Sequence, residues 1–458
     1  MFSANTYQNR RRFLSENLNG GLILLPGNNP VPMNYPSNWL RFRQDSNFLY
    51  YCGLDHPHLN LVIDIDSGES ILFGDNLTVD EIVWEGERVH VFDMSQSAGI
   101  ENCLPSSELQ GFLQSKNKTI HFLPCYRDDQ KLFVDGLLND QVNESSKELI
   151  QTVIQQRSIK TEEEITEIEQ ALEVTAKLHK MAMRSTKPGV KEQYIVGQIE
   201  GDALSHGRRL AYPVIFSVRG EILHNNEYNN VMQSGQLTLN DSGAESPMHY
   251  ASDITRTFPV DGKFTDRQKE IYQIVFDMQE ASFTFCSPGK SYKDAHLEAA
   301  TIAVRGLKVL GLMKGDVRKA VEAGAHALFF PHGLGHMLGL DVHDMEGLGE
   351  DLVGYNDDAD RSDQFGLAYL RLAKTLEPGF VLTVEPGIYF IPHLIGKWQS
   401  EKKHEEFIHY DALDSYRDFG GIRIEDNIVI TENGYRILGP HIPRSIDEIE
   451  AIMDRNNA

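Results

Sequence analysis

The sequence predicts an α+β protein, with a smaller α/β domain over residues 1–157, a larger α+β domain over 158–445 and a C-terminal tail at 446–458. Three observations predict it. In the first part of the chain, short apolar runs alternate with turn signals, as in a sheet with interleaved helices. A long, acidic, capped helix then opens at Thr161 and marks the junction. Beyond it, helical periods occupy the middle of the domain and antiparallel-looking strand pairs stand on both sides, which argues against a doubly wound sheet. A chain of 458 residues has room for about two or three such cores.

Taken in order, the basic run Arg10-Arg11-Arg12 is expected on the solvated face of an N-terminal helix. GLILLPG, HLNLVIDIDSGESILFG and RVHVFDM read as strands, with Asp66-Ser67-Gly68 as a turn. ENCLPSSELQGFLQ and KELIQTVIQQRS read as helices. Thr161 and Glu164 have capping-box spacing, acids crowd the first turn, and Lys187-Pro188-Gly189 ends the helix. Ile165, Ile168, Leu172, Leu178 and Met181 supply its apolar stripe. A second helical pattern runs to about Arg209. Strands are expected around YPVIFSV, GQLTLND and HYASDITRTFPV, and helices from Asp266 to Phe285 and from Tyr292 to Leu310. Strands return in VLTVEPGIYFI and GGIRIEDNIVIT, while 347–371 and 395–420 are polar, weakly periodic and expected to be insertions or long loops.

Composition narrows the function classes. The chain is 41 % hydrophobic and 24 % charged, ordinary for a globular protein. Its formal net charge of −24 repels nucleic acid and anionic membranes, so neither is an expected partner. Four scattered cysteines form no C-x-x-C pair, which argues for a reducing compartment and against a thiolate metal site. MFSANTYQNRRRF lacks the apolar core of a secretory signal, and no apolar run approaches the roughly 20 residues that span a bilayer. The expected location is the cytoplasm.

The chemistry concentrates in HGLGHMLGLDVHD, residues 332–344. His332 and His336 stand four apart, as helical metal ligands often do. Gly333, Gly335 and Gly339 would each cost a helix about 1 kcal/mol against alanine, so an irregular loop is the better expectation. Acids also interrupt good strands. Asp241 ends GQLTLND, Asp253 lies inside YASDITRTFPV, and Glu385 closes VLTVE just before Pro386-Gly387. In GIRIEDNIVIT, Arg423 and Glu425 share one face with Ile422 and Ile424 on the other. A turn through Glu245-Ser246-Pro247 would bring Asp241 and Asp253 within reach of each other. Several buried like charges need cations to neutralise them. Oxygen ligands with one imidazole suit Mn²⁺, with Co²⁺ or Zn²⁺ favoured by affinity. Four carboxylates balance two divalent ions, which points to a two-metal hydrolytic site with water activated between the ions.

At these residues a family becomes recognisable. LNDSGAESPMHYASDITRTFPVDGKF, HGLGHMLGLDVHD, LTVEPGIY and GIRIEDNIVIT resemble, in order, the motifs of aminopeptidase P and prolidase, dinuclear metallopeptidases of the pita-bread fold. FRQDSNFLYYCGL and Trp84-Glu85-Gly86 resemble segments of the aminopeptidase P N-terminal domain. The resemblance implies five metal ligands. Asp241 would hold one ion, His336 and Glu385 the other, and Asp253 and Glu425 would bridge them. It gives His224, His332 and His343 roles in binding substrate and stabilising the tetrahedral intermediate, and places Arg423 and Tyr389 in support around the metals. It also implies a homo-oligomer, dimer or tetramer, in which Trp84 lends an aromatic wall to a neighbouring subunit's cleft. Two departures stand out. The Asp241–Asp253 separation of twelve is one residue longer than the family's pattern, and Asn240 occupies a usually apolar position.

The function so implied is hydrolysis between an N-terminal residue and a penultimate proline. An Xaa–Pro bond is a tertiary amide and has no N–H for an ordinary exopeptidase to grip. The alternatives are a prolidase restricted to Xaa-Pro dipeptides and a pita-bread binding protein that has lost its metals. The N-terminal resemblance and the length favour the aminopeptidase, and the five filled ligand positions disfavour the binding protein.

Overall fold

A computed structural model describes residues 1–138, 145–356 and 359–454. The chain divides into two units: Met1–Arg157 with Met345–Gly349, and Ser158–Asp344 with Glu350–Ala458.

The first unit is built on a mixed sheet of β1 (Leu22–Pro26), β2 (Asn60–Asp64), β3 (Ser70–Phe73), β4 (Asn102–Leu104) and β5 (Ile120–Phe122), ordered β4-β3-β2-β1-β5. β1 pairs antiparallel to β2 and parallel to β5, so helical crossovers cover the sheet. Leu22, Leu24, Val62, Ile71 and Phe73 pack there against Leu109 and Leu113 of the helix Leu109–Lys116. Three expectations fail in this unit. RVHVFDM is not a strand, because Val91–Ser97 is helical and buries Val91, Met94 and Ser95 at helical spacing. The start of ENCLPSSELQGFLQ is β4, and the helix begins only at Leu109. In the helix Ala4–Asn17, Arg10 and Arg11 are buried rather than solvated. Arg10 donates to Tyr50 O at 2.9 Å and lies over the Tyr50 ring, and Arg11 donates to Tyr51, Ala98 and Gly99 carbonyls.

In the second unit the helix Glu162–Ser185 opens on the Thr161/Glu164 capping box. It buries Ile165, Ile168, Leu172, Leu178 and Met183, whereas Met181 is only half-buried. Helices Glu192–Ser205, Asp266–Phe285 and Tyr292–Val309 follow. The strands form antiparallel groups. β6 (Ile215–Ser217), β7 (Leu237–Asp241) and β8 (Thr255–Pro259) make one sheet. β9 (Val381–Val384) joins β12 (Asp426–Thr431) and β13 (Gly434–Ile437), and β10 (Gly387–Tyr389) pairs with β11 (Gly421–Arg423). β7, β8 and β9 are buried at every residue, so both faces are covered.

Other segments also differ from the sequence reading. Asp253 precedes β8 instead of lying within a strand. The stretches read as loops contain the helices Glu350–Gly354 and Tyr410–Leu413 and the last two-thirds of the helix Pro392–Ser400; residues 357 and 358 lie outside the described residues. The segment read as a tail contains the helix Ile446–Met453, which buries Ile449 and Met453 and packs on Glu162–Ser185; residues 455–458 lie outside the described residues. Asn240 gains an account. In the interior its Nδ2 donates to His179 Nδ1 at 3.1 Å, and His179 Nε2 reaches Ser242 O at 3.0 Å, so an apolar residue there would leave an imidazole nitrogen unpaired. Among the described residues no helix is long and apolar enough to cross a membrane.

Candidate metal centre

The acids converge because strands change sheet where they occur. In the β9–β12 ladder Asp426 pairs with Val384, and in the β10–β11 ladder Gly387 pairs with Arg423. Between the two ladders lie Glu385-Pro386 on one strand and Ile424-Glu425 on the other. Pro386 has no N–H to continue a ladder, so the backbone turns there and both glutamates are presented together. Glu425 N–H donates instead to Thr255 O of β8 at 3.0 Å, which ties this turning point to the third sheet. Asp241 faces Thr255 at the end of β7–β8. Asp253 is held by Asn427: its N–H donates to Asn427 Oδ1 at 3.0 Å, and Asn427 Nδ2 donates to Asp253 O at 2.6 Å.

Residues 331–344 are irregular, as their glycines require. A Cβ on Gly335 would lie 2.2 Å from Thr383 O, so only glycine lets the loop run this close to β9. His336 N–H donates to Thr383 Oγ1 at 3.1 Å, and Thr383 N–H returns a bond to His336 O at 3.0 Å. His336 Nδ1 donates to Met337 O at 3.0 Å, which fixes the tautomer and leaves the Nε2 lone pair facing the acids. Nε2 stands 3.4 Å from Asp253 Oδ2 and 3.5 Å from Glu385 Oε1, too long for good hydrogen bonds. One ligand atom each from Asp253, His336 and Glu425 lies within 4.8 Å of the others, and all three residues are buried.

The electrostatics ask for cations. Burial pushes the Asp253, Glu385 and Glu425 carboxyls up, Glu385 to about 7 and Glu425 well above its ordinary range, and neighbouring carboxylates add to the rise. Glu425 Oε1 is buried with no hydrogen-bond partner, while Oε2 accepts from Thr255 Oγ1 at 2.7 Å. Tyr212 has one hydroxyl proton but reaches both Asp241 Oδ1, at 2.7 Å, and Asp253 Oδ1. An orphaned oxygen, crowded carboxylates and a lone pair aimed among them fit divalent ions.

Around this cluster Arg423 joins Asp241, Thr255 Oγ1 at 3.1 Å and Tyr389 Oη at 2.9 Å. Tyr389 Oη in turn meets His332 Nε2 at 2.9 Å, and His332 Nδ1 meets Gly333 O at 2.7 Å. Burial, then the Arg423 charge, pushes His332 down to about 3, so it is neutral at pH 7. Its Nδ1–H is used by Gly333 and its Nε2 accepts from Tyr389, so both nitrogens are engaged. His343 packs its ring 4.2 Å from that of His336, and burial pushes it down to about 2. His224 is exposed at the cavity mouth, and desolvation with the nearby Arg423 charge lowers it.

A cavity of about 860 Å³ opens onto the cluster, and His224, His332 and His343 line it with Asp241, Asp253, His336, Glu385, Arg423 and Glu425. Sequence reasoning missed Tyr212, Phe365, Tyr369, Arg371 and Lys397, which also line it. Tyr212 carried no signal inside a presumed strand, and the other four lay in stretches read as loops. Trp84 belongs to the other unit, on the helix Val79–Glu85, where no residue is buried; it is 87 % exposed, so local packing does not hold it.

Comparison with known proteins agrees with this architecture. Residues 166–432 match metallopeptidase family M24, and residues 7–121 match the aminopeptidase P N-terminal domain. The chain is 32 % identical to Homo sapiens Xaa-Pro dipeptidase, covering 95 % of this chain and 89 % of the relative. It is 33 % identical to Escherichia coli Xaa-Pro aminopeptidase, covering 98 % of each. The structure superimposes on zinc-substituted Escherichia coli aminopeptidase P in complex with product, with a TM-score of 0.82 at 32 % identity, covering 99 % and 98 % of the two chains. Pseudomonas aeruginosa aminopeptidase PepP gives a TM-score of 0.83 at 27 % identity, with the same coverage.

Proposed function

The chain belongs to metallopeptidase family M24, and from that premise we propose that it is a metal-dependent Xaa-Pro aminopeptidase. The observation that carries this reading is the convergence of Asp241, Asp253, His336, Glu385 and Glu425, with an unpartnered buried oxygen on Glu425. In this reading Asp241 would help hold one divalent ion, His336 and Glu385 would hold the other, and Asp253 and Glu425 would serve both. Mn²⁺ suits this oxygen-rich set best, and Co²⁺ or Zn²⁺ would also bind. Bound ions supply a water nucleophile at neutral pH and polarise the scissile carbonyl.

The chain's own residues do the rest. Arg423 fixes Asp241 and, through Tyr389, orients His332. With both nitrogens engaged, His332 is a positioning residue here, and His343 and His224, which line the cavity, are placed to meet substrate oxygen. Leu223, Ile391 and Phe365 give the cavity apolar area for a prolyl ring.

One observation favours the prolidase reading as a second possibility. Arg371 lines the cavity, and burial lowers its pKa against the opposing pull of Glu385. A guanidinium there suits a substrate carboxylate, and a carboxylate directly after proline defines a dipeptide. The test is to assay Mn²⁺-loaded protein on Xaa-Pro dipeptides and Xaa-Pro-Yaa tripeptides, with Arg371→Met beside it. The aminopeptidase reading expects tripeptides to be cleaved well by both proteins. Cleavage of dipeptides alone, lost in Arg371→Met, overturns it in favour of the dipeptidase.

We further propose a homo-oligomer, most simply a symmetric dimer, that covers Val79, Val83 and Trp84, each more than 70 % exposed in the single chain. Trp84→Ala is then expected to raise KM for peptides while metal content stays. Light scattering that finds a fully active monomer removes this idea. The four cysteines carry free thiols, which supports a cytoplasmic location.

A further inference from the structure

The loop that carries His336 and His343 closes on itself around one carboxylate. Asp344 N–H donates to Met337 O at 3.0 Å, and Gly339 N–H donates to Asp341 O at 3.1 Å. Inside this closure Asp344 Oδ1 accepts from Asp341 N–H at 3.3 Å, and Oδ2 receives Lys160 Nζ at 2.7 Å. The side chains of Lys160 and Asp344 are each 1 % exposed. A Cβ on Gly339 would meet Asp344 Oδ2 at 2.4 Å, so this glycine is needed to seat the carboxylate. Lys160 is anchored in turn, its N–H donating at 2.8 Å to Gly379 O, just ahead of β9. β9 bridges back to the loop through Met337 and Leu382.

The arrangement is a poor way to gain stability. A buried ion pair loses hydration on both partners, and apolar residues of similar volume often match or exceed it. A second cation aggravates this one. Lys374 is pushed down to about 8 by burial and then by the charge of Lys160. What such a pair does provide is a fixed place for the backbone beside it, and that backbone carries His343.

We propose that the Lys160–Asp344 pair is a positioning device for His343, holding its imidazole at the cavity wall beside His336. The proposal rests on the reading of His343 as a residue that meets substrate. It is tested with Lys160→Met, Asp344→Leu, the double variant and His343→Ala. Each single change removes one charge of the buried pair and keeps the other, so Tm and activity should both fall. The double variant is expected to regain Tm and bound metal but to keep kcat lowered by about 10-fold or more, with a smaller change in KM. On a His343→Ala background the double change should lower kcat no further, because it acts through the missing imidazole.

A double variant with normal Tm and normal kcat would make the pair structural only and overturn the proposal. An additive loss on the His343→Ala background would overturn it as well. If the double variant fails to regain Tm, Gly339→Ala decides. Its methyl group crowds Asp344 Oδ2 while both charged side chains stay in the protein, and it must show the same non-additive loss with His343→Ala. Failure of the underlying reading looks different, because His343→Ala would then turn over normally by itself.

Discussion

Glu425→Gln is expected to lower kcat by about 10³-fold or more, at or beyond the upper end for losing one electrostatic stabiliser from a water-excluded site, and to release bound metal in the same step. The substitution keeps the side chain's size and its bond from Thr255 Oγ1, and removes a charge placed against both candidate ion positions. Thermal stability should separate the two effects. In chelated wild type, burial holds Glu425 well above its ordinary value and Glu385 at about 7. A carboxyl whose folded pKa is raised stabilises the fold while protonated, and that contribution is lost as pH climbs from its unfolded value toward its folded one. Chelated wild type should therefore lose Tm between pH 4.5, the ordinary value for Glu385, and about 7. Chelated Glu425→Gln, with one fewer buried carboxyl to ionise, should match or exceed it at pH 7. With metal the order reverses, because only wild type keeps the full ligand set. Metal analysis and melting curves of both proteins check this. A variant that retains two tightly bound ions and near-normal turnover sinks the sharing role of Glu425.

The acids could be read from the sequence because each breaks a run of apolar residues, and a charge that ends a buried strand needs a reason. Their partners could not. Tyr212 reaches Asp241 and Asp253 from a segment read only as a strand, and nothing local to YPVIFSV announces it. Arg10 and Arg11 show the same limit. Their carbonyl partners at Tyr50, Tyr51, Ala98 and Gly99 lie far along the chain, so a basic triplet looked solvated when two of its members are buried. In RVHVFDM the alternation was too short to separate a strand from the first turn of a helix. Asn240 looked anomalous only while His179, on another element, was out of view. Polar, weakly periodic sequence at 347–371 and 395–420 misled in a different way. Such residues can line a cavity as well as face solvent, and Phe365, Tyr369, Arg371 and Lys397 do so here. Pattern thus revealed which residues needed neutralising, whereas tertiary contacts decided what surrounds them.

His343→Ala is expected to behave differently from any ligand variant. Metal content should stay at the wild-type level while kcat/KM falls by about 10²-fold or more, the scale of removing one donor that supports the transition state. Charge makes the difference. His343 lies against the His336 ring, and burial pushes it down to about 2, so at pH 7 it is a neutral imidazole with a single N–H. A neutral donor can support developing negative charge on a carbonyl oxygen without competing with cations for the carboxylates. Removing it leaves Asp241, Asp253, His336, Glu385 and Glu425 in place, so affinity for the ions has no reason to change. His336→Ala is the control and should lose metal, because its Nδ1 bond to Met337 O aims the Nε2 lone pair at Asp253 and Glu385. Metal analysis beside steady-state kinetics on an Xaa-Pro tripeptide separates the two variants. If His343→Ala also releases metal, His343 is the ligand, and the lone pair of His336 must then be reassigned.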